Sequence, residues 1–190
     1  MDIILASASP RRRELLEMLG VRNLKIIPAK GEERAPEGAA ADETVMALSR
    51  AKALEVAAGA PAEAVVIGAD TVVELDGEIL GKPKDEAGAF SMLSRLSGRS
   101  HNVYTGVTVV CGGEVFSDAE RTVVRFRPMT DREIRAYIGT GEPMDKAGAY
   151  GAQGIGSLFV ESISGDFFNV MGLPLCRLGK MLGRLGVELL

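Results

Sequence analysis

Asp70 interrupts the run Val65-Val66-Ile67-Gly68-Ala69-Asp70-Thr71-Val72-Val73, which otherwise reads as a buried strand. A carboxylate in such a place is costly unless it is paired, hydrogen-bonded or bound to a metal. Gly68 and Ala69 just before it leave room for a ligand or for a close backbone approach. Two readings follow. Asp70 is ion-paired inside a sheet, or it lines a ligand crevice, as charged groups at strand ends of α/β sheets often do.

Cations recur at three other places. Ser9-Pro10-Arg11-Arg12-Arg13 follows the short apolar run Ile3-Ile4-Leu5-Ala6, and Ser before Pro is a good helix start. The N–H groups and positive dipole end of such a helix suit an anion, and arginines beside it bind phosphate oxygens through paired donors. Lys52 falls within the arc of Val45, Leu48 and Val56 at helical spacing. A lysine on that face either snorkels out or meets an anion. Lys82 follows a turn in Gly81-Lys82-Pro83-Lys84-Asp85. That stretch is not a Walker A loop, because Gly77 to Gly81 is one residue short and Pro83 replaces the Ser or Thr that would meet magnesium.

Glu33, in Glu32-Glu33-Arg34, reads on its own as a solvated charge, although it could bring a carboxylate near a cation. Gln153 lies in the small-residue stretch running from Thr140 to Gly154, where its amide could donate and accept at a base edge. The aromatic and polar turn from Ser164 to Val170 suits a structural role equally well. Basic groups at a helix start, an inward lysine, a lysine in a turn and carboxylates suited to a hard cation together fit a nucleoside triphosphate site without a P-loop. The reaction would be attack of water on phosphorus, with charge stabilised by arginine, lysine and metal. The residues alone lead as far as phosphate-ester chemistry on a nucleotide.

Strand-like and helix-like segments alternate around these residues, which predicts a mixed α/β fold. Ile3 to Ala6 reads as a strand, Arg11 to Leu19 as a helix closed by Gly20, Leu24 to Ile27 as a strand, and Lys30 to Ala41 as a loop. Asp42 reads as the N-cap of a helix that runs to about Ala58. Ala64 to Val73 is expected to be a strand, turned by Asp76-Gly77 into Glu78-Ile79-Leu80. Asp85 to Leu96 reads as helical, and Val103 to Val110 and Glu114 to Phe126 as long strands joined at Gly112-Gly113. Thr130 to Ile138 reads as a helix, Tyr150 to Ile163 as glycines mixed with a strand, and Pro174 opens a leucine-rich helix. No repeat or linker divides the chain, so residues 1–190 are expected to form one sheet-centred domain, with two lobes flanking a cleft.

Composition narrows the function further. The 190 residues are 46% hydrophobic and 25% charged, which fits a soluble globular protein. A net charge of −4 argues against a non-specific nucleic-acid or membrane coat. The N-terminal apolar stretch is too short for a signal peptide, and no apolar run approaches the roughly 18 residues of a bilayer span. A cytoplasmic location is expected. His101 is the one histidine, sits at the start of a strand-like run and reads as structural. Histidine-rich metal ligation is excluded, so any metal needs oxygen ligands, which points to magnesium or manganese. Cys111 and Cys176 lack C-x-x-C partners and read as buried thiols.

Six stretches carry a resemblance to a known family. They are Ser7-Ala8-Ser9-Pro10-Arg11-Arg12, Arg50-Ala51-Lys52-Ala53, Gly68-Ala69-Asp70-Thr71-Val72, Lys82-Pro83, Asp145 to Gly154, and Asn169-Val170-Met171-Gly172-Leu173-Pro174. In this order, over essentially the whole chain, they resemble the Maf family of septum-formation-inhibitor-like nucleotide pyrophosphatases. The resemblance implies a fold akin to the inosine triphosphate pyrophosphatases, usually a homodimer, and metal-dependent hydrolysis of a nucleoside triphosphate to monophosphate and pyrophosphate. It implies Asp70 as proton acceptor, Ser9, Arg11, Lys52 and Lys82 as phosphate-handling residues, and Glu33 beside Asp70 as a metal or water ligand. Arg12, Thr71 and Gln153 match the subgroup that hydrolyses dTTP and UTP rather than the one associated with 7-methyl-GTP. A nucleotide-binding regulator of cell division and a phosphomonoesterase are the competing expectations.

Overall fold

The computed structural model describes residues 2–21, 23–187 and 189. In chain order these form β1 (Ile3–Leu5), α1 (Pro10–Met18), β2 (Leu24–Ile26), α2 (Ala41–Ala57), β3 (Val65–Leu75), β4 (Glu78–Leu80) and α3 (Glu86–Leu96). There follow β5 (Ser100–Cys111), β6 (Glu114–Phe126), α4 (Asp131–Ile138), β7 (Val160–Ser164), α5 (Phe167–Met171) and α6 (Leu175–Arg184). Among the described residues the strands make one mixed seven-stranded sheet in the order β2-β1-β3-β5-β6-β7, with β4 beside β3. β1 runs parallel to β2 and β3, and the other pairings are antiparallel. No helix among the described residues is long and apolar enough to cross a membrane.

One gap in this sheet decides where a ligand can sit. β5 fills one edge of β3 from Val66 to Glu74. On the opposite edge β1 covers Val65 to Ile67 and β4 covers Val73 to Leu75. Gly68 to Val72 therefore have no described strand beside them on that edge, and Asp70 is the middle residue of the gap.

The cores stop on either side of the same place. Side chains alternate across a strand, so Leu5, Ile67, Ala69, Val107 and Val109 pack on one face against Leu16 of α1 and Leu178 and Leu182 of α6. Ile4, Ala6, Val66 and Val110 pack on the other face against Ala53 and Val56 of α2. A third cluster, with Val73, Leu75, Val103 and Phe126 against Leu93 of α3 and Ile134 of α4, fills the far end of the long strands. The expected two lobes are these two ends of β3, β5 and β6, and Asp70 and Thr71 lie at the waist between them.

α2 lies flush on its face because two residues beneath it lack side chains. A Cβ on Gly68 would sit 2.8 Å from the Ala53 nitrogen and against the Ser49 carbonyl. One on Gly106, the β5 partner of Asp70, would sit 2.7 Å from the Met46 nitrogen and against the Val45 carbonyl. Backbone atoms of a helix have no way to yield, so both positions require glycine for this approach.

Several boundaries depart from expectation. The N-cap of α2 is Ala40 rather than Asp42: the Ala40 N–H donates to Glu43 at 3.2 Å, and Asp42 falls in the first turn, where a carboxylate favours the helix dipole. The Tyr150 to Ile163 stretch does mix glycines with a strand: it is irregular to Gly154, forms a 3-10 turn at Ile155–Phe159 and becomes a strand at Val160. The turn after Ser164 holds α5, capped by the Asp166 carboxylate, which accepts from the Phe168 and Asn169 N–H groups. Neither cysteine is buried. Cys111 ends β5 at a turn and is half-buried, while Cys176 lies off the Leu175, Leu178, Met181 and Leu182 stripe of α6 and is exposed.

His101 is structural, as expected. It is 2% exposed, shares a 2.8 Å hydrogen bond between Nε2 and the Tyr150 hydroxyl, and stands edge-on to Phe126. Burial holds its pKa down from 6.5 to about 4. The unfolded chain therefore takes up a proton before the folded one does. This residue's contribution to stability is complete above pH 6.5 and is lost as pH falls from 6.5 towards 4, a loss of about 3 kcal/mol. Urea unfolding of the wild type and of His101→Gln across that range is expected to show a shallower pH dependence in the variant. Equal slopes would contradict this account of the histidine.

Candidate active site

The gap beside β3 opens into a cleft of about 600 Å³. Ser9, Arg11, Arg12, Glu33, Lys52, Asp70, Thr71, Lys82 and Gln153 all line it, although they come from separate stretches of the chain. The sequence reading of these nine residues thus converges on one place.

At its centre is an ammonium between two carboxylates. Lys52 Nζ lies 2.6 Å from Asp70 Oδ1 and 2.9 Å from Glu33 Oε1. The lysine that had to snorkel or meet an anion meets two, and Asp70 is both ion-paired and at the crevice. The Lys52 and Asp70 side chains are 15% and 11% exposed, whereas Glu33 is 60% exposed and reaches in from the solvent side. Desolvation offsets most of the attraction in a buried pair of this kind, so stability alone is a weak reason for it.

The loop that carries Glu33 is rooted on α2. Glu55 accepts the Lys30 and Gly31 N–H groups at 2.7 and 2.9 Å, two residues before Glu33. The hydrogen bond from Lys52 holds the Glu33 carboxyl below the usual carboxylate range, against its partial burial, and the charges of Lys82 and Arg12 act in the same direction. Two further cations therefore lie within electrostatic reach of the same carboxylate.

Adjacent arginines at the start of α1 take different positions. Pro10 occupies the first turn, and Ser9 precedes it as N-cap without a side-chain cap bond. The Arg11 charge contributes to lowering the pKa of Asp145, after the larger effect of a hydrogen bond from Lys146. Arg12 is instead locked in place. It donates through Nε to the Gly172 carbonyl at 2.8 Å, through one terminal nitrogen to Ser7 Oγ at 3.1 Å and through the other to Thr71 Oγ1 at 3.0 Å. Burial lowers its pKa, and the field of Asp70 opposes that.

Thr71 continues this chain. Thr105 donates its one hydroxyl proton to the Asn169 carbonyl at 2.9 Å, so the 2.9 Å contact between the two threonines has Thr71 as donor. Thr71 thus holds Arg12 from behind. Lys82 is exposed on the rim, where the Gly148 N–H donates to the Gly81 carbonyl at 3.1 Å and ties its loop to the glycine-rich segment. Gln153 is exposed on that segment.

Sequence reasoning missed three contributors. Lys146 lines the cleft, with Nζ donating to Asp145 at 2.6 Å and to the Glu142 carbonyl at 2.7 Å. A charged pair within a run of small residues was the available signal. Ser7 and the Gly172 carbonyl, which hold Arg12, carry no sequence signal of that role.

Among the described residues no three His, Cys, Asp or Glu side chains are grouped to hold a metal ion. Magnesium keeps waters and phosphate oxygens and needs only one or two protein carboxylates. Glu33 and Asp70, which already converge on one cation, fit that requirement.

The profile of the family described as Maf-like protein matches residues 2–185. A dTTP/UTP pyrophosphatase of Symbiobacterium thermophilum is 50% identical over 185 residues, which cover 97% of this chain and 94% of that one. A dTTP/UTP pyrophosphatase of Moorella thermoacetica is 51% identical over 189 residues, 98% of this chain and 96% of that one. Among solved structures, the Staphylococcus aureus Ham1 protein aligns over 66% of this chain and 72% of that one, with 17% identity and a TM-score of 0.45.

The contact between Lys52 and Asp70 has a measurable consequence. Lys52→Met leaves the Asp70 carboxylate without its counter-ion and is expected to lower unfolding stability by roughly 3 kcal/mol. Adding Asp70→Asn to that variant is expected to restore most of the loss. Denaturant unfolding of the two single variants and the double variant checks this, and additive losses would contradict a direct pair.

Proposed function

We propose that this chain, which belongs to the Maf family, hydrolyses dTTP, UTP and 5-substituted uridine triphosphates to the nucleoside monophosphate and pyrophosphate. The observation that carries the reading is the half-used carboxylate in the sheet gap. Lys52 occupies Asp70 Oδ1, and Oδ2 has no protein donor among the described residues, so it is available to a water. The names of the two relatives at about half identity over nearly the whole chain support the substrate.

Asp70 accepts a proton from the attacking water, and Lys52 fixes the carboxylate's orientation. Arg11, Lys82 and the start of α1 with Ser9 bind the β- and γ-phosphates and stabilise the charge that builds on the pyrophosphate leaving group. Lys52, beside Asp70, shares in that stabilisation at the α-phosphate. A divalent cation, magnesium or manganese, held by Asp70 and Glu33 would supply charge neutralisation at the phosphates. Gln153 reads the base: its carbonyl accepts the single ring N–H of uracil or thymine while its NH2 donates to a neighbouring carbonyl. Arg12, held by Thr71, Ser7 and Gly172, tunes the same choice. Family membership also leads us to infer a homodimer acting in the cytoplasm.

The test is a side-by-side measurement of kcat/KM for dTTP, UTP, CTP, GTP and 7-methyl-GTP, with pyrophosphate as the detected product. dTTP and UTP are expected to lead, with purine triphosphates poor. Asp70→Asn is expected to lose about 10²–10⁴-fold in rate while still binding nucleotide. A preference for a guanine nucleotide would overturn the substrate, and orthophosphate as product would overturn the reaction.

A further inference from the structure

We infer that Glu142 and Tyr137, which are not among the predicted site residues, are positioning residues that set base selectivity by fixing the loop carrying Gln153. The inference rests on the reading of the cleft as a dTTP and UTP site. Gln153 sits on the short loop from Gly151 to Gly156, and both ends of that loop are tied to one pair of side chains. At the near end the Gly151 N–H donates to the Tyr137 hydroxyl at 3.1 Å. At the far end the Ile155 and Gly156 N–H groups donate to Glu142 Oε2 and Oε1 at 2.8 and 3.1 Å. The Tyr137 O–H donates to Glu142 Oε1 at 2.8 Å and joins the two anchors.

The anchors are themselves held. The Tyr137 ring is buried, packs edge-on against Phe159 with centroids 5.2 Å apart, and belongs to the core at the far end of the strands. Burial raises the pKa of its phenol and keeps it a donor. The Glu142 carbonyl accepts from Lys146, which lines the cleft. The loop lies directly on the carboxylate, for a Cβ on Gly154 would sit 2.5 Å from both of its oxygens. No helix or strand supports Gln153 itself. Its amide reaches a base edge with fixed geometry only because a charged acceptor binds two successive N–H groups just after it, and hydrogen bonds of that kind are the stronger ones.

Kinetics of the wild type, Glu142→Gln, Tyr137→Phe, Gln153→Ala and the Glu142→Gln/Gln153→Ala double variant test this. Glu142→Gln presents an amide to the loop N–H groups, and Tyr137→Phe keeps the ring while removing the hydroxyl. Each is expected to raise KM for dTTP and UTP by about tenfold, with KM for GTP within about twofold and kcat for dTTP lowered by no more than about threefold. The double variant is expected to be no worse than Gln153→Ala alone, since both act through one contact. KM rising equally for dTTP and GTP, losses that add in the double variant, or an unchanged KM would each overturn the inference. Should Glu142→Gln fail to fold, Tyr137→Phe decides the matter by the same criteria. A wild type with no preference for dTTP and UTP over GTP would overturn the substrate reading itself, and this inference with it, before any variant is compared.

Discussion

Helix α2 can lie flush on the sheet only where the strands beneath it carry no side chains, and the candidate site depends on that approach. Gly68 and Gly106 flank Asp70, one two residues before it in β3 and the other opposite it in β5. Any Cβ there would collide with the helix backbone and lift it. A lifted helix would withdraw Lys52 from Asp70 and move Glu55, which roots the loop bearing Glu33. Strand, helix and loop are thus registered against one another by the absence of two side chains.

The sheet gap supplies the other half of the arrangement. β1 ends at Leu5 and β4 begins its pairing at Val73, so the middle of β3 is open on one edge while β5 supports the other. Strand alternation then divides the work between neighbours. Asp70 faces α2 and its lysine, whereas Thr71 faces the opposite way, towards Arg12, Thr105 and Asn169. Under the proposed function, successive residues of one strand would therefore serve the reacting phosphate and the choice of base separately.

Much of this was legible in the sequence because certain polar residues stand where a periodic apolar pattern has no place for them. Asp70 in a core strand and Lys52 on an inward helical arc are of that kind. Glu33 is not: it sits among exposed charges, and only the anchoring of its loop by Glu55 brings it to Lys52. Only the family resemblance separates Arg11 from Arg12, since the partners that lock Arg12 include a carbonyl 160 residues away. Glu142 and Tyr137 look like surface charge and core aromatic, and their joint hold on the Gln153 loop exists only once the chain has turned back on itself. The cysteines misled for a simpler reason. Their burial was argued from residue type, while Cys111 lies at a strand end and Cys176 off an apolar stripe.

The proposed reaction requires Asp70 to direct water to the α-phosphorus. Hydrolysis of dTTP in water enriched in heavy oxygen, followed by mass analysis of both products, tests this directly. Attack at the α-phosphorus puts the label in the nucleoside monophosphate and leaves the pyrophosphate unlabelled. Label in the pyrophosphate would place the attack on the β-phosphorus, and labelled orthophosphate would place it on the γ-phosphorus; either contradicts the arrangement of cations and carboxylate derived for the cleft.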